Sequence, residues 1–275
     1  MKGVLATAMA ALGRLRGGEM SAIRVLGVAD LSPRMRRVTF SGTGLERFAD
    51  PGNLHVRLAL PPEGTARDGW LKVAPDGSAE PVGGGLQPPH RKYTLRAIDA
   101  AAGRLVIDFV LHGDAGPGSA WAMRARPGDV LGVTGPGGRG CGVADWYLFA
   151  GDETALPAIG RMLEHLPPEA AGIALVEVGG REDEQHLRRP AGIALRWLPR
   201  GGAPAGTTTL LQDAIVNLRP PEDGRGIFAW AACEHAAIDV IRRHLRARWK
   251  LDRHSHLAVG YWRRTPHAAD APHDP

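Results

Sequence analysis

The rhythm of apolar residues changes once along this chain, near residue 140, and that change constrains the fold more than any single motif. Before it, six short β-patterned runs, at residues 23–28, 36–40, 55–60, 93–98, 105–111 and 130–133, are separated by Gly/Pro turns. Short runs at this spacing predict a six-stranded antiparallel barrel. After it, apolar runs at 146–150, 173–178, 193–198, 227–231 and 257–261 alternate with helix-period segments at 155–165, 208–217 and 235–249. Strand–helix alternation predicts a parallel, doubly wound sheet. The joint is the glycine-rich loop Gly135-Pro136-Gly137-Gly138-Arg139-Gly140. The expected organisation is an N-terminal extension over 1–20, a barrel domain over 21–139, an α/β domain over 140–265 and a tail over 266–275. A Pro/Gly-rich stretch over 61–89 interrupts the barrel; it is too long for a hairpin loop and is expected to be mobile or functional.

At 275 residues there is enough chain for two cores of ordinary size. No run approaches the apolar length of a membrane-spanning helix, so a soluble protein is expected, and the two isolated cysteines are compatible with a reducing cytoplasm. Residues 1–12 hold an apolar stretch behind Lys2 that superficially resembles a secretory leader, but Arg14 and Arg16 follow at once. An Ala-rich leading helix, or a true start at Met20, is the expectation. Cys141 and Cys233 lie far apart without CxxC or histidine spacing, so neither a zinc nor an iron–sulfur site is expected. The net charge of +5 comes with three tyrosines and five phenylalanines and no interleaved basic–aromatic pattern, so nucleic acid is not an expected partner.

Two segments carry the chemistry of a flavin dinucleotide site. Arg91-Lys92-Tyr93-Thr94 offers a cation for a pyrophosphate, a flat ring for an isoalloxazine and a hydroxyl for its reactive nitrogen. Strand alternation puts Arg91 and Tyr93 on one face and turns Thr94 away, so Thr94 can reach a ligand only if the strand bends or bulges there. Downstream, Leu111-His112-Gly113-Asp114-Ala115-Gly116-Pro117-Gly118-Ser119-Ala120-Trp121 offers bare backbone donors before a short helix. His112 is either a structural hydrogen-bonder or a contact residue. Gly151-Asp152-Glu153-Thr154-Ala155, between a buried strand and a helix, is where a nicotinamide dinucleotide is expected, with Thr154 as the helix cap. Asp152 and Glu153 bring negative charge that can also complement the helix dipole.

These segments, with Leu31-Ser32-Pro33-Arg34-Met35-Arg36-Arg37-Val38-Thr39-Phe40, the extension of the third segment to Leu156-Pro157-Ala158-Ile159, and Gly260-Tyr261-Trp262-Arg263-Arg264, make the chain resemble the siderophore-interacting proteins over about 21–265. That family comprises flavin-dependent ferric-siderophore reductases of the ferredoxin-reductase superfamily. The resemblance implies FAD on Arg91, Tyr93 and Thr94 and on the loop residues His112, Gly113, Gly116, Pro117, Gly118, Ser119 and Trp121. It implies NAD(P)H at Gly151, Asp152, Thr154 and Ala155. Two positions depart from the family pattern. Gly118 stands where alanine is expected, which reads as added flexibility, and Cys233 stands where glycine is expected.

The resemblance places Tyr93, Thr94, Cys233 and Glu234 at the reacting centre. Cys233 is either a residue lying against the nicotinamide or a buried structural thiol. Arg181, after the run 173–178, is placed to read a 2′-phosphate, although Glu182 and Asp183 follow it. Arg242, Arg243, Arg246 and Lys250, with Arg57 from the barrel, form either a solvated basic face or a landing site for an anionic ferric chelate. The implied activity is NAD(P)H- and FAD-dependent reduction of ferric siderophores with Fe(II) released in the cytoplasm. The rivals are a flavoprotein electron carrier or general reductase fed by ferredoxin, and a non-catalytic flavin- or siderophore-binding module.

Overall fold

The computed structural model describes residues 19–65, 69–82, 87–113 and 116–264. The predicted tail over 266–275, and the predicted extension over 1–20 apart from its last two residues, lie outside the described residues. The chain divides into two compact units, with the boundary after Gly140.

The first unit runs β1 (Ser21–Ser32), β2 (Met35–Gly42), β3 (His55–Ala59), β4 (Leu71–Val73), β5 (Ala79–Pro81), β6 (His90–Thr94), β7 (Ala97–Asp99), β8 (Arg104–Val110), α1 (Pro117–Arg124) and β9 (Val130–Gly137). Seven strands form one antiparallel sheet in the order β6-β3-β9-β1-β2-β8-β7. Six were expected, and the seventh arises because the run 93–98 is broken at Leu95 and Arg96. Leu95 N–H donates to Leu54 O on the β3 side, while Arg96 N–H donates to Val106 O on β8. The two ends of the sheet, β6 and β7, are thus joined by two residues, and a link that short closes the sheet on itself. The barrel interior is filled by Ile23, Val38, Phe40, Val56, Leu58, Leu105, Ile107, Phe109, Leu131 and Val133, all fully buried.

The described part of the segment over 61–89 carries a hairpin of its own, β4–β5. Trp70 and Leu71 bury themselves against the barrel core, and Trp70 Nε1 donates to Val130 O at 3.1 Å.

The second unit runs β10 (Trp146–Gly151), α2 (Leu156–Glu164), β11 (Ala171–Val178), a 3-10 turn (Arg181–Asp183), β12 (Ile193–Pro199), α3 (Leu210–Val216), β13 (Ile227–Glu234), α4 (His235–Ala247) and β14 (His256–Trp262). The five strands are parallel in the order β12-β11-β10-β13-β14. From β10 the chain moves one way to β11, and from β13 it moves the other way to β14. Right-handed crossovers therefore put α2 on one face and α4, with α3, on the other. The shared core of Leu211, Ile215, Ile238, Ile241 and Leu245 agrees with this. The sheet is doubly wound as expected, and its order reverses between β10 and β13. In such sheets the crevice at the carboxyl ends of the two diverging strands is the ligand position. Among the described residues, no helix is long and apolar enough to cross a membrane.

Candidate functional site

In the first unit the candidate site is built on β6, the loop after β8, and α1. β6 pairs with β3 in an unbroken register, with Val56 opposite Tyr93, Arg57 opposite Lys92 and Leu58 opposite Arg91. Arg91 and Tyr93 share one face, as alternation requires. Arg91 is exposed and donates from Nη1 to the His90 carbonyl at 2.9 Å. Tyr93 is half-buried, its ring tilted 45° on Phe109 with centroids 4.4 Å apart. Phe109 meets Trp121 at 5.3 Å, and Trp121 stacks on Phe40 at 6.1 Å. Tyr93 thus heads a row of aromatics that ends in the barrel core, and Trp121 supports that row from behind. Burial pushes the Tyr93 hydroxyl up to about 12 against the pull of Arg91, so it stays a proton-bearing donor at neutral pH. Thr94 is 7% exposed and ends the strand. Of the two alternatives, no bulge marks Thr94 in the β3–β6 register, and the chain bends just past it, passing from β3 at Leu95 to β8 at Arg96.

Past β8, the His112 backbone N–H donates to Ser119 Oγ at 2.9 Å, tying the two ends of the loop together. Asp114 and Ala115 lie outside the described residues. Gly116 is the extended N-cap of α1 and no side chain caps the helix, with Pro117 in its first turn. A helix start without a side-chain cap leaves N–H groups of its first turn for an anion, which is the pattern a pyrophosphate requires. Gly118 is buried inside α1. A Cβ there would stand 1.8 Å from Tyr93 Oη, so this glycine supplies space to the tyrosine and not the flexibility expected of it. At the C-terminus of α1, Arg36 Nη1 donates to the Ala122 and Met123 carbonyls, while its Nε and Nη2 hold Asp30. The sequence marks this cation only as part of the motif over 31–40, because the carbonyls it holds lie 86 and 87 residues away.

On the outer face of the β3–β6 pair, Arg57 and Lys92 stand directly opposite one another. Like charges at paired strand positions repel. Burial first, and then the neighbouring cations, hold both His55 and His90 below the usual histidine range. This positive face is legible only once the register is known.

In the second unit the switch point holds a dense polar network. Gly151 ends β10 where nothing larger fits, a Cβ there being 2.7 Å from Ala232 O. Thr154 is not the cap of α2, whose N-cap is Ala155 without a side-chain bond. Instead Thr154 donates its N–H and hydroxyl to Asp152 Oδ1 at 2.9 and 2.5 Å, and Trp262 Nε1 donates to Asp152 Oδ2 at 2.7 Å. Ala155 and Leu156 N–H donate to the Asp152 carbonyl. Three of the backbone donors expected to receive a phosphate, those of Thr154, Ala155 and Leu156, are therefore already engaged. Asp152 is buried, and burial pushes its carboxyl up against the pull of those donors.

Glu153 does not serve the helix dipole either. Both its oxygens receive Arg200, at 2.5 and 2.9 Å, and Arg200 reaches Glu177 at 3.3 Å. All three side chains are buried. Burial pushes Glu177 up, with Arg200 opposing. Arg200 and Glu177 escaped the sequence reading as site residues, since each sits at or just past a strand end with no motif spacing to mark it; Trp262 was marked only as part of the closing motif over 260–264, without a role.

Across the crevice, Glu234 is the N-cap of α4. Its Oε2 accepts from Ala236 and Ala237 N–H, and its Oε1 accepts from Arg264 N–H. Cys233 lies within β13 and not after it, and is 2% exposed. Burial, and then the nearby Asp152, Glu177 and Glu234, push its thiol well up, so it is a neutral thiol and not a thiolate. Asp152, Glu177, Thr208, Gln212, Cys233 and Glu234 line a cavity of about 200 Å³.

Arg181 opens the 3-10 turn after β11 and is exposed. The acidic residues after it turn inward or back, with Asp183 Oδ2 accepting the Gly180 N–H at 3.3 Å. The four C-terminal cations are not gathered at the switch point. α4 starts at the carboxyl edge and runs away from it, carrying Arg246 about 17 Å along its axis. Arg242 is held by Asp239 and the Ala258 carbonyl, Arg243 Nε by the Asp239 carbonyl, and Arg246 by His256 Nε2. Arg242 and Arg246 thereby pin α4 to β14. Lys250 is exposed beyond the helix, and Arg57 belongs to the other unit. Within neither unit does the structure bring the five proposed substrate residues together.

Comparison with known proteins matches residues 24–140 to a siderophore-interacting FAD-binding domain and residues 144–265 to a siderophore-interacting protein domain. The ferric vibriobactin reductase ViuB of Vibrio cholerae is 32% identical, over 85% of this chain and 86% of its own. The NADPH-dependent ferric-chelate reductase of Escherichia coli is 30% identical, over 87% and 91%. A crystal structure of a siderophore utilization protein from T. fusca superimposes with a TM-score of 0.78 at 38% identity, covering 90% of this chain and 94% of that one.

Proposed function

The chain belongs to the siderophore-interacting protein family, and from that premise we propose that it reduces ferric siderophores with FAD and NAD(P)H and releases Fe(II) in the cytoplasm. The observation that carries this is the pairing of Arg91 and Tyr93 on one face of β6 with the uncapped first turn of α1 in the same unit. An exposed guanidinium, a half-buried phenol and a helix start whose N-cap glycine supplies no side-chain cap fit a flavin dinucleotide. When bound, FAD supplies the conversion between a two-electron hydride donor and one-electron ferric iron. Arg91 and the first turn of α1 hold its phosphates; Tyr93, with Thr94 at the strand end, orients its ring. Tyr93 keeps its proton and serves as a fixed donor.

The nicotinamide end of NAD(P)H is assigned to the cavity between Asp152 and Cys233–Glu234 at the switch point. Cys233 acts there as a neutral wall and Glu234 as the cap that holds α4 and the backbone of Arg264 around it. Arg181 is assigned to the 2′-phosphate of NADPH. The anionic chelate is met by Arg57 and Lys92, whose mutual repulsion an anion relieves. The iron stays in its chelator, and Fe(II) leaves because hard oxygen ligands hold it less tightly than Fe(III).

The engaged donors at the start of α2 favour one second reading, in which a reduced ferredoxin is the electron source. The test is to load the purified protein with FAD and compare kcat/KM for NADPH and NADH, before and after Arg181→Ala. The expected result is bleaching of the flavin bands by NADPH and a ratio that falls toward NADH in the variant. An unchanged ratio removes Arg181 from the phosphate site, and bleaching by ferredoxin alone replaces the donor.

A further inference from the structure

We propose that Gly118 is a positioning residue, setting the depth at which Tyr93 sits and through it the contact of the phenol with the flavin ring. This rests on the flavin reading above and concerns the geometry of that same site. A Cβ built on Gly118 would lie 1.8 Å from Tyr93 Oη, 2.9 Å from Cζ and 3.4 Å from Cε2. Favourable non-bonded contact begins near roughly 3.5 Å, so the hydroxyl occupies the space that the first carbon of any other residue would take.

Backbone conformation does not call for glycine here. Gly118 lies in the first turn of α1, outside the left-handed region, where alanine is the better helix former. What the glycine provides is room.

Inward movement of the ring meets packed neighbours: Phe109, fully buried, lies against it, Trp121 against Phe109, and Phe40, also fully buried, against Trp121. A close-packed row of this kind does not absorb an added methyl. A side chain at 118 must therefore drive the phenol toward the open side of β6, where Arg91 stands. Gly118 and Tyr93 are a matched pair contributed by α1 and β6, and the depth of the flavin pocket floor follows from their fit.

The experiment is a double-mutant cycle of Gly118→Ala, Tyr93→Ala and the combined variant in the full-length protein. Each is titrated with FAD while visible absorbance, flavin fluorescence and the near-UV circular dichroism of the flavin-free protein are recorded. Gly118→Ala should weaken FAD binding about tenfold, shift the visible band, and alter the quenching that phenol contact imposes. In the Tyr93→Ala background the same change should move Kd by no more than about twofold. Should Gly118→Ala fail to fold, the combined variant must restore the fold. An unaltered spectrum and affinity in Gly118→Ala, or an equal loss with and without Tyr93, overturns the proposal. The flavin-free spectrum separates the two ideas. A wild-type protein that takes no FAD defeats the functional reading, whereas an unchanged near-UV signal in Gly118→Ala defeats the pairing.

Discussion

Arg91→Ala should raise the Kd for FAD by about ten- to a hundredfold, corresponding to the roughly 1.5–3 kcal/mol of a hydrogen bond to a charged group. Thermal stability of the flavin-free protein should hardly change, because the side chain is exposed and its one described hydrogen bond goes to the carbonyl of its neighbour His90. Arg91→Lys should recover only part of the affinity, since an ammonium keeps the charge but not the planar fork that meets a phosphate at two points. A flavin titration of the three proteins decides it, and equal affinities would take Arg91 out of the phosphate site.

Arg200→Ala should have the opposite profile, with a large loss of stability. It leaves Glu153 and Glu177 buried without their shared cation, which costs about 3–5 kcal/mol. The melting temperature should fall by about 10 °C or more. The sign of the pH dependence follows from Glu177, whose carboxyl burial already pushes up while Arg200 pulls it down. Without Arg200 the folded state keeps that proton to higher pH than the unfolded chain does. The penalty should therefore be smaller in mildly acidic buffer and grow as pH rises through the raised folded value. Melting curves at several pH values check this, and a variant as stable as the wild type would show that the triad contributes nothing net.

The two rhythms of the chain were legible because strand and helix periods depend on local burial. They yielded both sheets, and the order reversal then located the crevice. What stayed hidden was whatever depends on residues meeting from distant parts of the chain. The run 93–98 looked continuous because Leu95 and Arg96 are as strand-compatible as their neighbours; only their divided bonding to Leu54 and Val106 splits it. The positive face of Arg57 and Lys92 needed a register, and the Arg200 triad needed three strand ends to converge. The cluster on α4 is legible only in part for a related reason. Helical spacing shows that Arg242, Arg243 and Arg246 are solvent-side, but not that the helix carries them away from the switch point. Gly118 was read as flexibility because sequence shows a missing side chain without showing what fills its space.

Ferrous iron production is the most direct measurement. The FAD-loaded protein is mixed anaerobically with NADPH and an anionic ferric siderophore, and Fe(II) is trapped by a ferrous-specific chromophore. Colour should form at a rate proportional to enzyme, require both FAD and NADPH, and slow as salt screens the Arg57–Lys92 face over about 8 Å at physiological ionic strength. NADPH consumption with no ferrous signal, or a ferrous signal independent of FAD, would contradict a flavin-dependent ferric-siderophore reductase.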